Sequence, residues 1–124
     1  MVRLPASRKI VLTSRKVAKI IANFAADKKA ENILVLDVRR VVNFCDYSII
    51  CSATSARHVQ AIADGIIDGL EEQDMKVKWH AGTKNSPWAL IDLGDLVIHV
   101  FEEKVREFYN LEYLWQDAKK ITWK

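Results

Sequence analysis

The chain has 124 residues, 50% of them hydrophobic and 28% charged, which describes one ordinary globular domain with room for a single core. No run approaches the roughly 20 apolar residues of a membrane span, and no apolar segment suits a secretory signal. The net charge of +3 is laid out unevenly, because residues 1–30 hold eight Lys/Arg against Asp27 alone, while the remainder holds eleven against fifteen carboxylates.

The expected organisation is a basic arm, residues 1–12, a single domain, residues 13–115, and a short tail, residues 116–124. A basic start on a mildly acidic body suits contact with a polyanion such as RNA, and a solvated helix face explains it equally. Cys45 and Cys51 sit in or beside one apolar segment, as in a reduced cytosolic protein rather than a disulfide framework.

Taken in order, Ser14 is a plausible N-cap for a helix. Val17, Ile20, Ile21, Phe24 and Ala25 follow helical spacing, with Arg15, Lys16 and Lys19 on the other side, and the helix should end near Lys28. Ile33 to Val38 is nearly continuous apolar, as in a strand buried on both faces. Arg39 to Phe44 reads as a connection, and Tyr47 to Ala53 as a second strand. Thr54 or Ser55 caps the next helix, whose stripe is Val59, Ile62, Ala63, Ile66, Ile67 and Leu70.

Met75 to Ala81 alternates strictly, which predicts an edge strand with Met75, Val77, Trp79 and Ala81 on one side. After the loop from Gly82 to Pro87 comes Trp88 to Phe101, two strands joined by Gly94-Asp95, a pair suited to a two-residue hairpin turn. Directly opposed partners then share a face. Ala89, Ile91 and Leu93 lie with Leu96, Ile98 and Val100, an aliphatic core face. Trp88, Leu90 and Asp92 lie with Val97, His99 and Phe101, a mixed face. Glu102 to Tyr109 predicts a short helix, and the final residues should fray. The expected architecture is a single α/β domain, a mixed five-stranded sheet with two long helices packed on one face.

Catalytic chemistry finds little support. Three scattered histidines and many serines make no nucleophile elbow, and there is no phosphate-binding glycine loop. Cys45, Cys51, His58, His80 and His99 match no zinc spacing. Asp92 and Asp95 flank the turn, where turn formation is their simplest task. The expectation is no catalytic residue, no cofactor and no metal. What remains is the mixed face, whose aromatic and charged residues resemble a protein-binding hot spot. Trp88, Leu90, Asp92, His99, Phe101, Arg106 and Tyr109 are the candidate partner-binding residues, with Asp92 expected to favour a charged His99 if close.

These same residues carry a resemblance. Asp46-Tyr47-Ser48-Ile49-Ile50-Cys51, Ser55-Ala56-Arg57-His58-Val59 and Ala61-Ile62-Ala63-Asp64 are similar to the ribosomal silencing factor (Iojap, RsfS) family. So are the run from Trp88 to Phe101 and the ending Arg106-x-x-Tyr109-x-Leu111-Glu112-x-Leu114-Trp115. The resemblance implies a nucleotidyltransferase-like fold, bacterial and cytoplasmic, with organellar relatives that act in ribosome assembly. It implies binding to the large ribosomal subunit through its fourteenth protein, blocking small-subunit joining and silencing translation. It also implies a homodimer as a further state, and the basic N-terminal helix adds a candidate contact with ribosomal RNA. The chain departs from the family at Ala81 before Gly82, at Cys45-Asp46 and at Asn32. Rival readings are an RNA-binding assembly factor and a diverged nucleotidyltransferase; against the latter, Asp92-x-x-Asp95 has the wrong spacing for a Mg²⁺-binding carboxylate pair.

Overall fold

The computed structural model describes residues 13–124, so the basic arm of residues 1–12 lies outside the described residues. The elements are helix α1 (Ser14–Asp27), strands β1 (Glu31–Asp37) and β2 (Tyr47–Ala53), helix α2 (Ala56–Glu72), strands β3 (Trp79–Ala81), β4 (Trp88–Asp92) and β5 (Leu96–Glu102), helices α3 (Glu103–Tyr109) and α4 (Leu111–Leu114), and strand β6 (Lys119–Ile121). They build one mixed sheet in the order β3-β4-β5-β2-β1-β6. β2 and β5 run parallel and every other pair is antiparallel.

Local chemistry sets the helices. Thr13, one residue before the expected cap, accepts the Lys16 amide of α1 at 3.2 Å. Ser14 is already helical and its hydroxyl donates instead to the Asp95 carboxylate, tying α1 to the hairpin turn. Ser55 caps α2 by accepting the His58 amide at 3.1 Å. The His58 ring then joins the two helices: Nδ1 accepts the Thr54 amide at 3.0 Å, which leaves the proton on Nε2, 2.9 Å from the Lys28 carbonyl.

Both long helices pack on one face, as expected. Val17, Ile21 and Ala25 of α1 and Val59, Ile62, Ile66 and Leu70 of α2 meet Ile49, Cys51, Ala89, Ile91, Ile98 and Val100 in one core. The other face carries a second, smaller core, in which Leu36, Val38, Cys45, Ile50 and Phe101 are covered by Val42, Val105, Leu111 and Trp115. The connection after β1 and the short helices α3 and α4 therefore close over β1, β2 and β5.

Two expectations are corrected. The sheet has six strands, because part of the presumed tail pairs with β1, with Val35 opposite Ile121. Ile121 is buried, and Trp123 donates its indole N–H to the Ile33 carbonyl at 3.3 Å. The edge strand is also shorter than Met75 to Ala81, since its ladder begins with Trp79 opposite Asp92, the last residue of β4, and before it only the Lys78 amide still reaches across, to the Asp92 carbonyl at 2.9 Å. Met75 and Val77 consequently turn to the helix-side core, whereas Trp79 lies across from Asp92 on the opposite face.

Candidate functional site

The mixed face is built by a tight turn. Gly94 adopts φ +99°, a conformation that favours glycine, and Asp92 accepts the Gly94 amide at 2.7 Å. Leu93 donates to the Leu96 carbonyl at 2.9 Å, which leaves two loop residues and sets the register. Trp88 stands opposite Phe101, Leu90 opposite His99 and Asp92 opposite Val97. The face predicted by parity is therefore assembled residue for residue, and β3 widens it by setting Ala81 beside Leu90 and Trp79 beside Asp92.

Three aromatic side chains gather around Trp88. Its ring lies 4.8 Å from Phe101, 4.9 Å from Tyr109 and 6.0 Å from His99, and the His99 ring is stacked at 5° on Phe101. The indole Nε1–H donates to His99 Nδ1 at 3.3 Å, which places the histidine proton on Nε2. Depth separates these residues into two groups. Phe101 and His99 are only 1% and 8% exposed, so they form the floor of the face. Trp88, Leu90 and Asp92 are half-buried, Tyr109 is 49% exposed and Trp79 53%.

His99 is neutral. Burial pushes its pKa down from 6.5 to about 4. Desolvation, rather than the charge support that a close Asp92 was expected to give, decides the protonation of His99. The unfolded chain takes up the proton first, so this stabilisation is complete above about 6.5, declines as pH falls toward 4 and changes no further below it. Between about pH 7 and pH 4, wild type should lose about 3 kcal/mol more unfolding free energy than His99→Gln. Denaturant titrations at the two pH values would read this, and parallel losses would show that His99 does not titrate this way.

Arg106 is turned inward. Its side chain is 11% exposed and pairs through Nε with Glu112 at 2.6 Å, while Nη1 donates to the Asn32 carbonyl at 2.6 Å and the Ser52 hydroxyl at 2.8 Å. Asn32 has φ +50°, within the left-handed region that Asn tolerates, and lies where β1 shifts register against β2. Arg106 is therefore a positioning residue, holding α3 and α4 over the sheet so that Tyr109 lies against Trp88.

Gly82 fixes the entry to β4. Its φ is +71°, and a Cβ there would lie 2.1 Å from the Trp88 carbonyl oxygen. Gly82→Ala should cost about 2–4 kcal/mol, since a backbone atom cannot rotate away. Thermal unfolding would reveal it, and an unshifted transition would mean that the loop relaxes freely.

Trp79 was absent from the residues assigned to the face by sequence. Its alternation with Ala81 was visible, but its neighbour on β4 was not. Chemistry beyond docking has little material here. Burial raises the Cys45 thiol to about 11, with Asp46, Asp92 and Asp95 adding to the effect, and raises Cys51 to about 12. Both stay protonated and weakly nucleophilic at neutral pH. Among the described residues no group of three or more His, Cys, Asp or Glu is placed to hold a metal ion.

Residues 11–124 match the family described as "Ribosomal silencing factor during starvation". The chain belongs to this ribosomal silencing factor family. Among its relatives, the ribosomal silencing factor of Bacillus subtilis is 43% identical over 107 residues, covering 86% of this chain and 91% of that protein. The chloroplastic Iojap protein of Zea mays is 40% identical over 101 residues, 82% of this chain and 44% of its own longer one. Two crystal structures share the fold. One, from Chromobacterium violaceum, has a TM-score of 0.82 at 27% identity and covers 90% of this chain and 92% of that one. The other, from Bacillus halodurans, has a TM-score of 0.77 at 35% identity, covering 88% and 99%.

Proposed function

We propose that this protein is a ribosome-associated repressor of translation that docks on the large ribosomal subunit through the open part of the mixed face. The observation that carries the reading is an aromatic-centred, half-open sheet face, Trp88, Leu90, Asp92 and Tyr109 with Trp79 at its rim, in a member of a family described as silencing ribosomes. The proposed partner is the fourteenth protein of the large subunit. The effect is steric, because a folded domain seated there occupies space that the small subunit needs. A specific contact of this kind buries on the order of 1,000 Å² or more, and the face between β3 and α3 offers apolar anchors with a polar rim.

His99 and Phe101 serve this face as its floor and Arg106 as its clamp, while the exposed aromatic edges make contact. The exposed Arg15 and Lys16 of α1 suit a salt-dependent contact with ribosomal RNA. A homodimer through the same face would compete with docking, since one patch cannot serve two partners at once. The proposed compartment is the bacterial cytoplasm; relatives named for chloroplast and mitochondrion make an organelle the other setting.

An enzymatic role has less support, because Asp92 is engaged by the turn and Asp95 by Ser14. The test is co-sedimentation of the protein with purified large subunits, followed by gradient analysis of subunit joining. The protein should pellet with large subunits and reduce the joined fraction; a protein that stays in the supernatant would overturn the proposal.

A further inference from the structure

Away from the aromatic face, the sheet ends in β6, and that edge is basic. β6 pairs with β1 so that Lys119 lies opposite Asp37 and Lys120 opposite Leu36. Side chains alternate across a strand, so the two lysines leave the edge on opposite faces. Lys119 lines a cavity of about 620 Å³ together with Asp37, Arg39, Arg40, Val41 and Asp117. Asp37 is already neutralised there: Arg39 grips it at 2.7 and 3.0 Å, and its carboxyl is held below the usual range mainly by that hydrogen bond. Among the described residues, Arg40, Lys119 and Lys120 are exposed and in no salt bridge, although Lys119 helps to hold the Asp37 carboxyl down and Lys120 lines a second cavity with Glu103, Glu107 and Glu112. The Lys124 ammonium sits 5.6 Å over the Trp123 ring, which is pinned to Ile33 near the start of β1, further along the same edge.

We propose that this edge, Arg40, Lys119 and Lys120 with Lys124, binds the phosphate backbone of RNA. The connection after β1 and the stretch from β6 to Lys124 string these cations along the edge. Val41 is the one apolar residue lining the cavity, whereas protein interfaces need buried aromatic or aliphatic anchors. Phosphate contacts need only cations and polar donors along a line. The opposite flank favours the same orientation, since Asp64, Asp68, Glu71 and Glu72 of α2 are exposed and repel a polyanion. Nothing in this inference depends on which protein the aromatic face binds. The competing explanation is that edge lysines merely keep β6 from pairing with another strand.

The test is fluorescence anisotropy of the full chain with a labelled RNA duplex of about 20 base pairs, titrated across a range of KCl concentrations. A triple variant, Arg40→Gln with Lys119→Gln and Lys120→Gln, should flatten the slope of log affinity against log salt by about three, roughly one per lost phosphate contact. The control, Lys76→Gln with Lys78→Gln and Lys84→Gln, removes the same charge near β3 and should keep the wild-type slope. All six side chains are exposed, and thermal unfolding confirms that each variant folds. Equal flattening in both variants, or no binding by the wild type, would overturn the proposal. So would a β6 variant that keeps its slope but self-associates, which would show that the lysines only guard the edge.

Discussion

Trp88→Ala should weaken co-sedimentation with large ribosomal subunits by about 30-fold or more, the loss expected when a central aromatic anchor is truncated. The ring is half-exposed, so part of its surface is available to a partner, while the rest packs at 4.8 Å on Phe101 and 4.9 Å on Tyr109. Truncation also leaves His99 Nδ1 without its donor, and it should cost about 2–3 kcal/mol of stability on its own account. Binding must therefore be read below the variant's unfolding transition. Tyr109→Ala separates the two effects, because that side chain is 49% exposed and its loss should weaken docking with a smaller cost to folding. If folded Trp88→Ala and Tyr109→Ala both pellet like wild type, the subunit contact lies elsewhere, and α1 becomes the next surface to examine.

A large effect on stability should also come from Arg106→Ala, about 3 kcal/mol, equivalent to a fall in Tm of about 10 °C for a domain of this size. The guanidinium bridges three elements at once, and its removal strands the Asn32 carbonyl, the Ser52 hydroxyl and the Glu112 carboxylate. Glu112 is 39% exposed, so water recovers part of its loss, and Glu112→Gln should cost only about 1 kcal/mol. Arg106→Lys should not restore stability, because a single ammonium cannot reproduce the planar fork that serves Nε and Nη1 acceptors together. Denaturant unfolding measures all three variants. A loss below about 1 kcal/mol for Arg106→Ala would mean that α3 and α4 are held mainly by Val105, Leu111 and Trp115.

The hairpin was the most legible element because its information is local. Gly94-Asp95 sets a two-residue loop, and from that loop the period of two assigns every side chain from Trp88 to Phe101 to its face. The apolar stripe of α2 was equally plain, since Val59, Ile62, Ala63, Ile66 and Leu70 recur at helical spacing and all are buried. β6 was hidden for the opposite reason. Lys119-Lys120-Ile121 has no strand signature of its own and becomes a strand only because β1 offers an open edge.

The sequence by itself determined the two helices, the hairpin and the division of the sheet into an aliphatic and a mixed face, because turn chemistry and side-chain period act over a few residues. Only the tertiary structure decided how much of the mixed face stays open. The connection after β1 and the α3–α4 segment fold back over it, burying His99 and Phe101, turning Arg106 inward and leaving Trp88, Tyr109 and Trp79 at the surface. Those outcomes depend on contacts between segments up to 74 residues apart, as in the Arg106–Asn32 bond. Period and propensity do not encode such distances, and desolvation, which makes His99 neutral, follows from them.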